Sequence, residues 1–144
     1  MSYNISKMSY EDAETVFKLE NELIGKSSLK SILDTLESNT LSYYVLKNQN
    51  EIIGFLEISI ISPECELFDI AIKKDYQGKH LSNLLMDKLL FICKENNCDT
   101  IFLEVNSINY KAISLYEKYG FKSYMIRKNY YGDNNDAILM KLEF

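Results

Sequence analysis

The sequence has no tryptophan, one proline, one histidine and three cysteines in 144 residues. Each shortage excludes something. Cys65, Cys93 and Cys98 are an odd number, so they do not form a disulfide framework. No histidine lies near them in sequence, so a tetrahedral zinc site is not expected either. Buried, idle thiols in a reducing compartment are the simpler expectation. The lone histidine, His80, makes neither a metal cluster nor a base by itself, and no metal is expected. The one proline, Pro63, falls in the polar break Ser62-Pro63-Glu64 and reads as a hairpin turn. No run approaches the roughly 18 apolar residues of a membrane span. Met1 to Ile5 shows no basic segment followed by an apolar one, so no secretory signal is expected and the cytoplasm is the default. Positive charge is also short. Sixteen Lys and Arg face 21 Asp and Glu, a net charge of −5, which argues against a nucleic-acid-binding surface.

What is present suffices for one domain over residues 1–144. The chain is 47% hydrophobic and 26% charged, enough for a real core. Tyr3 to Lys7 reads as a short strand. Tyr10 to Leu23 reads as a helix, with Ala13, Val16, Phe17 and Glu20 at helical spacing and Ser9 as its cap. Ser28 to Glu37 gives a weaker helix. Leu41 to Lys47, Glu51 to Ile61 and Cys65 to Lys73 read as three strands of an antiparallel meander. Leu81 to Lys94 is the strongest helix, with Leu81, Leu84, Leu85, Lys88, Leu89 and Ile92 on one stripe and Lys88 its only polar member. Thr100 to Val105 is a strand. Asn109 caps a helix running to Tyr119, and Gly120 ends it. Phe121 to Arg127 and Ala137 to Glu143 close the chain, joined by a loop through Asn129, Tyr130, Tyr131, Gly132 and Asp133. A helix between the fourth and fifth strands implies a parallel pair there. The fold class is therefore α/β, a mixed and mostly antiparallel sheet with helices on both faces.

The turn from Asp75 to Asn83 carries the first hint of chemistry. It joins a strand to a helix N-terminus, where free N–H groups and the helix dipole favour an anion such as pyrophosphate. Most such junctions bind nothing, and only one glycine, Gly78, sits in this one. On the strand Ile101 to Val105, alternation sets Glu104 and Phe102 on one face and Leu103 and Val105 on the other. A carboxylate there is either a partner for a lysine or a proton acceptor. Tyr116, at helical spacing from Ala112 and Tyr119, has core packing as its plain explanation, and eleven tyrosines make any single one ordinary.

The element order and the turn resemble the GNAT superfamily of acetyltransferases. Leu103-Glu104-Val105, Asn106-Ser107-Ile108-Asn109 and Leu115-Tyr116-Glu117-Lys118-Tyr119-Gly120-Phe121 are similar to its RimI-like branch, which acetylates protein N-terminal alanines. Arg127-Lys128-Asn129-Tyr130-Tyr131 and Asp136-Ala137-Ile138-Leu139-Met140 resemble the closing segments of that branch. The likeness covers roughly residues 66–144 well and the first half in layout only.

The resemblance implies transfer of the acetyl group of acetyl-CoA to an amine. It implies that Ile70, Ala71 and Ile72 pair with the pantetheine arm through their backbone. It implies that Gln77, Gly78, Lys79, His80, Leu81, Ser82 and Asn83 wrap the pyrophosphate, and that Asn109 contacts the cofactor. Glu104 becomes the base, Tyr116 the acid near the sulfur, and Tyr130 and Tyr131 border the peptide entrance. The implied partner is an acceptor peptide or protein N-terminus, such as that of a ribosomal protein. An acetyltransferase of small amines and a non-catalytic acetyl-CoA-binding module are the alternatives. The chain departs from the family where small residues are usual in the turn, at His80 and Ser82, which implies weaker cofactor affinity. It also has Ile24-Gly25-Lys26-Ser27-Ser28 where the branch tends to carry an aromatic segment.

Overall fold

The computed structural model describes residues 2–25 and 27–144, so Lys26 of the Ile24–Ser28 segment lies outside the described residues. Seven strands form one mixed sheet among them: β1 (Tyr3–Lys7), β2 (Leu41–Asn48), β3 (Glu51–Ile61), β4 (Glu64–Ile72), β5 (Thr100–Asn106), β6 (Lys122–Gly132) and β7 (Asn135–Glu143). Their order is β1-β2-β3-β4-β5-β7-β6. The helices are α1 (Ala13–Leu23), α2 (Leu29–Asp34), α3 (Leu81–Glu95) and α4 (Tyr110–Lys118), with single 3-10 turns at Tyr10–Asp12, Thr35–Glu37 and Lys74–Tyr76. The expected α/β class and element order hold. Two compact units are distinguishable, Met1–Ser59 with Asp69–Ile92, and Ile60–Phe68 with Cys93–Phe144.

In the first unit the meander of β1, β2 and β3 follows from alternation. Tyr43, Val45 and Phe55 point to one face and are fully buried against Val16 of α1 and Ile32 of α2. Leu46 and Gly54 are opposite each other on the other face, where α3 brings Leu85. Burying each such aliphatic or aromatic side chain stabilises the unit by roughly 1.5–3 kcal/mol. The capping reading at Ser9 holds: its N–H donates to Asp12 Oδ2 at 3.0 Å. α1 ends where Ile24 and Gly25 both donate to the Glu20 carbonyl, with Gly25 at φ +81. The break at Ser62-Pro63 is a two-residue turn between β3 and β4, as expected.

In the second unit β4 pairs β5 in parallel, from Glu64 opposite Thr100 to Leu67 opposite Leu103. β7 lies antiparallel between β5 and β6. Ile101, Leu103 and Val105 are buried and Glu104 is exposed, so the alternation read from the sequence is correct. Asn109 caps α4, accepting from the Ala112 N–H at 3.3 Å, and Gly120 ends that helix at φ +96. Cys65, Cys93 and Cys98 are free and buried.

One expectation fails. Residues 129–133 are not a connecting loop: β6 runs on to Gly132, so Tyr130 and Tyr131 stand on an edge strand. The cause is a bulge. Asn129 takes φ +53, the register slips between Arg127 and Gly132, and Asp136 Oδ1 accepts the Asn129 N–H at 2.9 Å. The extra residues are absorbed without ending the ladder, and the true turn is at Asp133-Asn134.

Candidate active site

The turn after β4 belongs to the first unit. Ile70 and Ala71 are half-buried and Ile72 is buried. Gln77 turns back and donates from Nε2 to the Ile72 carbonyl at 2.8 Å, which clamps the turn onto the strand that precedes it. Tyr76 is held from the other side: its hydroxyl donates to Glu51 Oε1 at 3.0 Å, and Lys73 Nζ meets Glu51 Oε2 at 2.8 Å. These two bonds hold the Glu51 carboxyl below its usual range. The Lys79 ammonium lies 5.3 Å from the Tyr76 ring centre.

Gly78 and His80 are both left-handed, at φ +78 and φ +62. Alternating backbone of that kind points successive N–H groups to one side and makes a concave seat for an anion. A Cβ built on Gly78 would meet no atom within 4 Å, so the space above the turn is open. α3 then starts at Leu81 and runs 15 residues, so its N-terminal N–H groups follow directly on the turn. The turn that the sequence singled out therefore combines two left-handed residues with open space at Gly78. Gly54 was missed. A Cβ there would lie 2.8 Å from the Ala71 carbonyl oxygen and 2.8 Å from Ile72 Cδ1. The signal was a glycine in the middle of a long apolar strand, which marks close backbone approach.

The second unit holds the other candidates. Glu104 stands on β5 with its side chain 33% exposed. The Tyr131 hydroxyl donates to Glu104 Oε2 at 2.6 Å. Arg127 Nη1 lies 3.8 Å from Oε1, and the Arg127 guanidinium sits 5.5 Å from the Tyr130 ring centre. The Tyr130 and Tyr131 rings meet edge to face at 5.2 Å. Burial, the bond to Glu104 and the charge of Glu104 push the Tyr131 hydroxyl well above its ordinary pKa. Glu66 on β4 is also pushed up, by burial and by the Glu104 charge. The structure thus brings Glu104, Tyr130 and Tyr131 together. Arg127 is the member that residue-by-residue reading left out, although it stands three residues before Tyr130 on the same strand.

Tyr116 is 7% exposed and packs its ring 5.8 Å from that of Phe121. The plain packing explanation is therefore satisfied, and a further role rests on chemistry rather than on placement. Asn109 likewise has its side chain engaged as a helix cap. Among the described residues no group of three His, Cys, Asp or Glu is arranged to hold a metal. No helix of the described residues is long and apolar enough to cross a membrane.

The mixed seven-stranded sheet and the order of its helices are those of the GNAT acetyltransferase fold. The model of the acetyltransferase (GNAT) family matches residues 7–121, and the chain belongs to that family. It is 37% identical over 145 residues to the ribosomal protein bS18-alanine N-acetyltransferase of Haemophilus influenzae, covering 94% of this chain and 95% of that one. It is 34% identical over 114 residues to the Escherichia coli protein of the same name, covering 75% of this chain and 77% of that one. The crystal structure of the Escherichia coli ribosomal-protein-S18-alanine N-acetyltransferase superposes with a TM-score of 0.89 at 28% identity, covering 99% of this chain and 94% of that one.

Proposed function

We propose that this N-acetyltransferase moves the acetyl group of acetyl-CoA to the N-terminal α-amine of a protein in the cytoplasm, an alanine N-terminus of a ribosomal protein being the first choice. The relatives that share a third of their residues over nearly the whole chain support the acceptor class. The observation that carries the reading is the Glu104 carboxylate, partly exposed and bordered by two tyrosines on β6.

Acetyl-CoA supplies an acetyl group already activated as a thioester. The residues suited to hold it are the backbone of Ile70, Ala71 and Ile72, and the turn Gln77, Gly78, Lys79, His80, Leu81, Ser82 and Asn83. Asn109 is a further candidate. The open space over Gly78 and the left-handed pair in that turn fit a pyrophosphate. An amine attacks only after it loses its proton, and Glu104 accepts that proton directly or through a water. Tyr116 stands as proton donor to the departing thiolate, since a phenol with an ordinary pKa of about 10 matches a thiol. Tyr130 and Tyr131 give the acceptor peptide rigid aromatic walls at low entropic cost.

The test is a panel of acceptors read by CoA release: alanine-initiated peptides, peptides with other first residues, and small amines such as polyamines. Turnover with alanine-initiated peptides at least tenfold above the rest is expected. Equal or greater turnover with small amines would replace the acceptor class. Glu104→Gln is expected to lower kcat by about 100-fold or more while leaving acetyl-CoA binding in place.

A further inference from the structure

We infer that Tyr131 is a positioning residue for Glu104, aiming the carboxylate at the acceptor amine, rather than only a wall of the peptide entrance. The inference rests on reading Glu104 as the base. Its ground is the 2.6 Å bond from the Tyr131 hydroxyl to Glu104 Oε2. A phenol donating to a carboxylate at this length is a charge-assisted bond, roughly twice as strong as a neutral one. Burial and the Glu104 charge both oppose ionisation of Tyr131, so it remains a donor across neutral and mildly alkaline pH.

The donor itself has neighbours on its own strand. Tyr131 follows the bulge at Asn129, whose N–H is fixed by Asp136, and its ring is wedged against Tyr130 at 5.2 Å. Arg127 lies over Tyr130 and 3.8 Å from Glu104 Oε1. β6 thus brackets the carboxylate, with a direct bond on one oxygen and a cation near the other. A glutamate side chain has three rotatable bonds, and this one is 33% exposed. Without the donor it would sample several rotamers, and a misplacement of about 1 Å at a reacting centre can cost about 100-fold in rate. Each carboxylate oxygen accepts about two hydrogen bonds, so the bond to Tyr131 leaves capacity for the amine or a water.

The test is Tyr131→Phe. It removes one hydroxyl from a residue that is 40% exposed, so the melting temperature should stay within a few degrees. With saturating acetyl-CoA and an alanine-initiated peptide, kcat at pH 7 should fall about 10- to 100-fold, with the acceptor KM within about threefold. The loss should shrink toward pH 9.5. There the acceptor, with an α-amine pKa of about 7.7–8.0, arrives already deprotonated and needs no base. In a Glu104→Gln background the same change should have no further effect on kcat. A raised acceptor KM with unchanged kcat, or a kcat loss of the same size at every pH, would overturn the inference and leave the base reading intact. Full turnover by Glu104→Gln at pH 7 would overturn the base reading itself, and this inference with it.

Discussion

Gly54 lies so close to Ala71 that a methyl group on it would sit 2.8 Å from the Ala71 carbonyl oxygen. The neighbour is backbone, not a flexible side-chain tip, so β4 must shift if the methyl is to fit. Gly54→Ala is expected to cost about 1–3 kcal/mol, the usual range for overpacking a core. The displaced residue belongs to the strand end proposed to pair with acetyl-CoA. The KM for acetyl-CoA should therefore rise several-fold more than the acceptor KM. Chemical denaturation and steady-state kinetics read the two effects, and a variant with unchanged acetyl-CoA KM would separate Ala71 from the cofactor.

The left-handed turn gives a paired prediction. His80 holds φ +62 with a Cβ that glycine would lack, a conformation costing a non-glycine residue about 1 kcal/mol. His80→Gly should relieve that strain and let amides close on phosphate, tightening acetyl-CoA binding several-fold in titration calorimetry. Gly78→Ala should do the opposite. Its φ of +78 is strained for alanine although the space is open, so binding should weaken with only about 1 kcal/mol lost from stability. If His80→Gly weakens binding instead, the imidazole is itself a phosphate ligand.

The placement of much of the candidate site was legible because its residues lie on regular elements. Alternation in β5 set Glu104 apart from Leu103 and Val105, and Asn109 and Gly120 marked the two ends of α4. The turn at Gly78 was visible as punctuation between a strand and a helix. What stayed hidden depends on residues far apart in sequence. The bond between Tyr131 and Glu104 spans 27 positions, and it exists only because Asn129 bulges and carries β6 past the point where a loop was expected. Gly54 was hidden for the same reason. Its importance comes from Ala71 on the neighbouring strand, not from its own flanks.

Glu57 on β3 gives the first unit a pH-dependent stability. Burial, and next the charge of Asp69, push its carboxyl up to about 7; Glu20 adds to the rise and a bond from Tyr43 opposes it. The folded form therefore holds a proton that the unfolded chain, with a glutamate pKa of about 4.3, releases. Its contribution is complete below about pH 4.5 and is lost as pH rises through about 7. Glu57→Gln should behave like the parent near pH 4.5 and be more stable at pH 8, by on the order of 1–3 kcal/mol. Melting temperatures of both proteins at the two pH values test this. Parallel curves would mean that Glu57 is better solvated than its surroundings indicate.

Tyr116 separates packing from chemistry. Its ring is 7% exposed and rests against Phe121, and Tyr116→Phe keeps that contact while removing the hydroxyl. A packing residue would lose little rate. An acid that protonates the departing thiolate should lose about 100-fold in kcat, with acetyl-CoA affinity nearly unchanged. The loss should also depend on the leaving group. A thioester analogue of acetyl-CoA whose thiol has a lower pKa needs less help from an acid, so the gap between Tyr116→Phe and the parent should narrow with it. A gap that stays constant across thiols, or a kcat equal to the parent's, would assign the tyrosine to the core alone and leave the thiolate to be protonated by water.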